Sequence, residues 1–181
     1  MSIQITLPDG SVRDYDAPVT GLDVATDIGP GLAKASLAMY LNDELVDLTT
    51  PLTESCRVAF LTRDKDAALE LLRHDAAHVM AQAVKELFPQ TQVTIGPAIE
   101  NGYYYDFFRE ESFTQEDLHK IETRMAEIVD QDLPLTREVW DRNEAIEFFK
   151  KEGEEFKAEL IADLPEDEVI SVYRQGDFLD L

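Results

Sequence analysis

A chain of 181 residues, 44% of them hydrophobic, suffices for one ordinary domain or two small ones and can bury a core, which excludes disorder throughout. Eight Gly and eight Pro are too few for collagen or a low-complexity linker, and no apolar run approaches the ~20 residues of a membrane helix. Sixteen basic against 38 acidic side chains give a net charge of -22, which makes sequence-independent nucleic-acid binding by this chain alone unfavourable. The start, Met1-Ser2-Ile3-Gln4-Ile5, lacks the basic-then-apolar pattern of a secretory leader, so the expected address is the cytoplasm. The single cysteine, Cys56, excludes an internal disulfide framework and any multi-cysteine zinc site. Residues 63–107, with 4 basic and 7 acidic side chains, are the segment least hostile to an anion.

The first 62 residues predict short strands with alternating burial. Ile3, Ile5 and Leu7 alternate with Gln4 and Thr6, and Pro8-Asp9-Gly10-Ser11 turns the chain into a hairpin. Thr20-Gly21-Leu22-Asp23 starts a helix by a capping-box pattern, Val24, Ala25 and Ile28 form its apolar side, and Gly29-Pro30-Gly31 is expected to stop it. Strands follow around Ala38–Leu41, Leu45–Leu48 and Arg57–Thr62. One helix on a small mixed sheet is a β-grasp arrangement. The junction to a second module is placed at Arg63–Asp66, where the hydrophobic period changes from two to 3.6.

From Asp66 to Phe88 there is no Gly or Pro, so one long helix is expected, ended by Pro89. Gln92–Ile95 and Gly102–Phe108 predict strands around the Asn101-Gly102 turn. Thr114 and Asp117 cap a second helix along Leu118, Ile121, Met125 and Ile128. A strand at Leu135–Trp140, a helix near Asn143–Lys151, a strand or helix around Phe156–Ile161 and extended runs at Val169–Tyr173 and Asp177–Leu181 complete an α+β module.

The sharpest chemical feature is Arg73-His74-Asp75-Ala76-Ala77-His78. Its histidines, at i and i+4 on a helix, share one face and can hold one water or one metal ion between them. They can equally be fillers beside an alanine-rich packing face, and the spacing does not decide. A zinc site needs a third protein ligand; His119, the remaining histidine, falls off its helix's apolar stripe and is expected to be solvated. In the run Asn101-Gly102-Tyr103-Tyr104-Tyr105-Asp106, strand alternation puts Tyr103 and Tyr105 on one face and Tyr104 and Asp106 on the other. Such a strand is either half-buried core or a surface for a ribose and a base.

The Ile-Thr-Leu-Pro-Asp-Gly-Ser of residues 5–11, Asp-Ile-Gly-Pro-Gly-Leu-Ala-Lys-Ala of residues 27–35, His74-Asp75-Ala76-Ala77-His78, Ile95-Gly96-Pro97 and Asn101-Gly102-Tyr103-Tyr104-Tyr105-Asp106 together resemble, in order, the N-terminal region of bacterial threonyl-tRNA synthetases. Residues 1–62 resemble the TGS domain and residues 63–181 the editing domain that follows it. The resemblance implies hydrolysis of mischarged seryl-tRNA(Thr) at its 3′ ester, with tRNA acceptor end and serine as partners. It assigns His74 and His78 to the catalytic centre, with His74 favoured as the group acting on water. It makes Lys157 a group that polarises the ester carbonyl or holds a ribose hydroxyl, Asp180 a ligand of the substrate ammonium, and Tyr104 a wall of the pocket.

In that family the run like Asp177–Leu181 leads into a Cys and, four residues on, a His, so by this resemblance the chain is expected to be truncated. No metal is expected at the two histidines, and no cofactor in this region. The ATP, magnesium and zinc of the family's full-length enzyme belong to its absent catalytic domain, and that enzyme is expected to be a cytoplasmic homodimer. Two other readings compete. A metal-dependent HD-type phosphohydrolase would use His74-Asp75, but it needs an upstream histidine and Met1 to Arg73 holds none. A non-catalytic RNA- or partner-binding module would leave both histidines structural.

Overall fold

Ile3 and Ile5 are 3% and 0% exposed while Ser2 and Gln4 between and before them face solvent, so the first strand is one-faced, as its alternation requires. The computed structural model describes all 181 residues and divides them into two compact units, residues 1–71 and 72–181.

In the first unit, β1 (Ser2–Thr6) pairs antiparallel with β2 (Val12–Asp16). Gly10 takes the turn's left-handed position at φ 82°, and the Asp9 carboxylate accepts from the Ser11 amide at 2.9 Å and its hydroxyl at 2.6 Å. β3 (Val19–Thr20) leads into α1 (Gly21–Ile28), whose Thr20–Asp23 capping box is complete. α2 (Pro30–Ala35), β4 (Ser36–Leu41), β5 (Glu44–Val46), β6 (Pro51–Leu52) and β7 (Cys56–Thr62) follow. The sheet runs β2-β1-β7-β4-β5 with β1 and β7 parallel. Val24 of α1 joins Ile3, Ile5, Met39 and Val58 in its core, giving the expected β-grasp arrangement. Gly29 does end α1, but the chain does not leave helix there. Pro30 occupies the first position of α2, where its missing N–H costs nothing and its fixed φ already suits a helix.

α3 (Asp66–Leu87) begins in the first unit, where Ala68 and Leu71 pack with Ala38 and Leu61. The units therefore divide at 71/72, beyond the charged stretch at which the hydrophobic period changes. In the second unit Ala77, Ala81, Ala83 and Val84 of α3 are 0–1% exposed. Ala83 and Val84 pack with Ile121 and Ile128 of α4 (Gln115–Asp130), after the short ribbons made by β8 (Gln92–Val93), β9 (Ala98–Ile99), β10 (Gly102–Tyr103) and β11 (Phe107–Phe108). β12 (Leu135–Trp140), α5 (Arg142–Lys151), α6 (Glu155–Asp163), β13 (Ile170–Gln175) and β14 (Phe178–Asp180) complete the unit, the sheet running β12-β13-β14, all antiparallel. A second core joins Phe149, Ala158, Ile161, Val172 and Leu179. The expected continuous strand over Gly102–Phe108 is interrupted, because Tyr104–Asp106 lie outside both ribbons. The segment open between strand and helix, Phe156–Ile161, is helical.

Gly21 offers a test of packing in the first unit. A Cβ there would fall on the Met39 sulfur and lie 3.2 Å from the Leu48 carbonyl oxygen, which is itself held by the Leu22 amide at 2.9 Å. Met39 is 0% exposed and belongs to the buried core of this unit. Gly21→Ala is expected to lose about 1–3 kcal/mol by urea denaturation, whereas Gly31→Ala, with nothing within 4 Å of its Cβ, loses none.

Candidate active site

The i, i+4 spacing on α3 stacks His74 and His78 one turn apart, with ring centroids 4.5 Å apart, planes at 86° and Nε2 atoms at 2.9 Å. His78 Nδ1 lies 2.7 Å from Asp180 Oδ2. Asp180, at the end of β14, is 2% exposed, and its carboxylate is surrounded by donors. Lys157 Nζ of α6, a residue 1% exposed, contacts Oδ1. The Tyr105 hydroxyl donates to Oδ2 at 3.0 Å, and the Leu181 amide to Oδ1 at 2.9 Å.

These contacts set the tautomers. Asp180 can only accept, so His78 donates from Nδ1 and keeps a lone pair on Nε2. His74 then donates its Nε2 proton to that lone pair and retains its own lone pair on Nδ1. The result is a directed row, Asp180 to His78 to His74, ending at an exposed imidazole that can take a proton.

Burial first, then the Lys157 ammonium, pushes His78 down to about 4, against the pull of Asp75. His74 is at the open end of the row, yet shielding of its ring and then the neighbouring His78 place it below the ordinary 6.5. Burial also lowers Lys157, to about 7, opposed by Glu154 and reinforced by Lys85. The Tyr105 phenol is raised, by burial and then by Glu154, and stays a donor. No group of three or more His, Cys, Asp or Glu side chains is placed to hold a metal ion.

The fold thus gathers His74, His78, Lys157 and Asp180 from α3, α6 and β14. No hydrogen bond or ring contact ties Tyr104 to them. Tyr104 is 47% exposed, and the neighbouring Tyr105, on the half-buried face with Tyr103 as the alternation predicts, supplies the hydroxyl. Asp180 is also placed differently from a free ammonium ligand, since both its oxygens are engaged inside the protein. A signal for Tyr105 was present in Ile95-Gly96-Pro97: a Cβ on Gly96 would fall on the Tyr105 ring, so glycine there lets the ring lie against the backbone.

Comparison with known proteins bears on this site. Residues 3–62 match the TGS domain family. Over 179 residues, 99% of the chain, it is 64% identical to the threonine–tRNA ligase of Rhodospirillum rubrum; over 177 residues, 98% of the chain, it is 62% identical to that of Granulibacter bethesdensis. The Maricaulis maris ligase is 58% identical over 179 residues. The chain belongs to the threonyl-tRNA synthetase family. It spans about 28% of the length of these relatives. No helix is long and apolar enough to cross a membrane.

The depressed His78 carries a stability prediction. The unfolded chain takes up its proton near 6.5 and the folded one near 4, so the unfolded state binds the extra proton between those values. Stability conferred by neutral His78 is complete above 6.5 and is lost as pH falls toward 4, reaching about 3 kcal/mol at 1.36 kcal/mol per unit. Urea midpoints across that window should show this slope in the parent chain and lose most of it in His78→Gln.

Proposed function

We propose that the second unit is the proofreading module of a threonyl-tRNA synthetase and hydrolyses the ester of seryl-tRNA(Thr). The observation that carries this reading is the hydrogen-bonded row Asp180–His78–His74, which ends at an exposed imidazole with a free lone pair. A neutral imidazole positioned next to an ester can take a proton from attacking water, an effect typically worth 10²- to 10⁴-fold. His78 and Asp180 orient it. Lys157, in its ammonium form, adds positive charge near the row and favours oxygen charge that develops as water adds to the carbonyl.

The need for such a module follows from the size of a methyl group. Serine is threonine without one methyl, and a pocket made for the larger side chain rejects the smaller by only ~1–3 kcal/mol. A second, tighter cavity can refuse threonyl esters, because an added methyl in a packed site meets hard-core repulsion. The acidic balance of the chain, -22, means that the tRNA body is held elsewhere in a longer protein and reaches this module at high effective concentration.

The test is deacylation of seryl- and threonyl-tRNA(Thr) by the chain itself and by the chain continued with the Rhodospirillum rubrum sequence that follows the matched region. His74→Ala is expected to slow seryl-tRNA hydrolysis by roughly 10²-fold or more. The parent rate should fall on the acid side through a value below 6.5, the direction in which His74 is shifted. Equal hydrolysis of both esters would remove the sieve. No hydrolysis by the continued chain, with tRNA still bound, would favour a non-catalytic binding module.

A further inference from the structure

Behind the histidine row lies a second buried ion pair that the proposed hydrolysis does not use. Glu154 immediately precedes α6 and is 5% exposed. A residue at that position commonly turns its side chain onto the helix's first amides, yet Glu154 makes no such bond. Its Oε2 accepts the Val93 amide of β8 at 2.9 Å, and its Oε1 contacts Lys85 Nζ in the last turn of α3. Lys85 is fixed in turn by the Pro89 and Thr91 carbonyl oxygens, each at 3.0 Å. Glu154 therefore joins the end of α3 and β8 to the start of α6.

Lys157 sits three residues further along, on the same side of the helix. Its Nζ is 5.5 Å from the Phe149 ring centre and contacts Asp180. The charged groups around it come from several elements: Asp180 from β14, His78 and Lys85 from α3, Glu154 from the start of its own helix. Asp177, before β14, lines the same cavity of about 310 Å³ as Lys85, Glu154 and Lys157. Positive and negative groups alternate along the path Lys85, Glu154, Lys157, Asp180, which then meets His78.

We propose that Glu154, locked by Lys85 and Val93, is a positioning residue for Lys157: it holds the first turn of α6 against α3 and supplies negative charge that favours the ammonium form of Lys157 facing Asp180. Its consequence for hydrolysis rests on the proofreading reading; its effect on Lys157 does not. Glu154→Gln is the sharp variant, because its amide oxygen still accepts the Val93 N–H while the charge is gone. Lys85→Gln removes the opposing positive charge.

The experiment follows the Lys157 side chain of the intact chain by NMR through a pH titration. Glu154→Gln should move its titration down from about 7, and Lys85→Gln should move it up, each by roughly one pH unit. A general loosening of the fold would shift both in the same direction, so parallel shifts, or none, overturn the proposal. If Glu154→Gln does not fold, Lys85→Gln alone decides it, and a Lys157 titration that fails to rise is the overturning result. The pH profile of seryl-tRNA hydrolysis should move with the NMR titration. Opposite NMR shifts with an unmoved hydrolysis profile would uphold the role of Glu154 and take Lys157 out of the chemistry, a failure of the proofreading mechanism alone.

Discussion

The second unit is organised around one buried carboxylate. An ionised Asp180 at 2% exposure would be prohibitively unstable without compensation, since desolvating a carboxylate costs several kcal/mol even after relaxation. Compensation comes from four donors on separate stretches of chain: Lys157 on α6, His78 on α3, Tyr105 between ribbons and the Leu181 amide beside it. Each donor has to be delivered to a point fixed by β14. The same requirement that satisfies a buried charge therefore fixes the mutual positions of the groups proposed to do chemistry, and gives His78 the tautomer that passes a direction to His74.

Delivering these donors depends on backbones approaching closely. Alanines 77, 81 and 83 give α3 a shallow surface buried to 0–1% exposure. Gly96 does the same for the Tyr105 ring, which also stacks on Phe107 at 5.0 Å between centroids. Larger side chains at these places would enlarge the core but move the donors outward by more than a hydrogen bond tolerates. Small residues here serve geometry, and bulk that holds the unit together is supplied by Phe149, Ile161 and Ile170.

Most of the fold was readable because its signals are local. Capping boxes at Thr20 and Thr114 and the unbroken helix from Asp66 depend on neighbours within a turn or two. The histidine pair was visible for the same reason, since i, i+4 spacing needs nothing beyond the helix. Lys157 was harder to read without the family resemblance. Glu154-Glu155-Phe156-Lys157 reads as a solvated acidic stretch, and only the packed helix shows that Glu154 and Lys157 turn inward while Glu155 faces water. Period two puts Tyr103 and Tyr105 on one face, and both are less exposed than Tyr104; that Tyr105 is the one whose hydroxyl meets Asp180 depends on a contact 75 residues along the chain. The boundary of the first unit likewise depends on the burial of Ala68 and Leu71, which no charge pattern discloses.

The chain's acidity gives the buried cluster a further meaning. A net charge of -22 creates a negative potential that favours protonated imidazole. Burial and the nearest charges shift His74 and His78 the other way. Distant carboxylates act through water and are screened beyond about 8 Å at physiological salt, whereas desolvation and the Lys157 charge act within the protein, where screening is weak. Burying Lys157 beside the row therefore pairs it with the Asp180 carboxylate and sets a positive charge against a proton on His78. An acidic module can keep a neutral base in this way at a pH where its overall charge works against one.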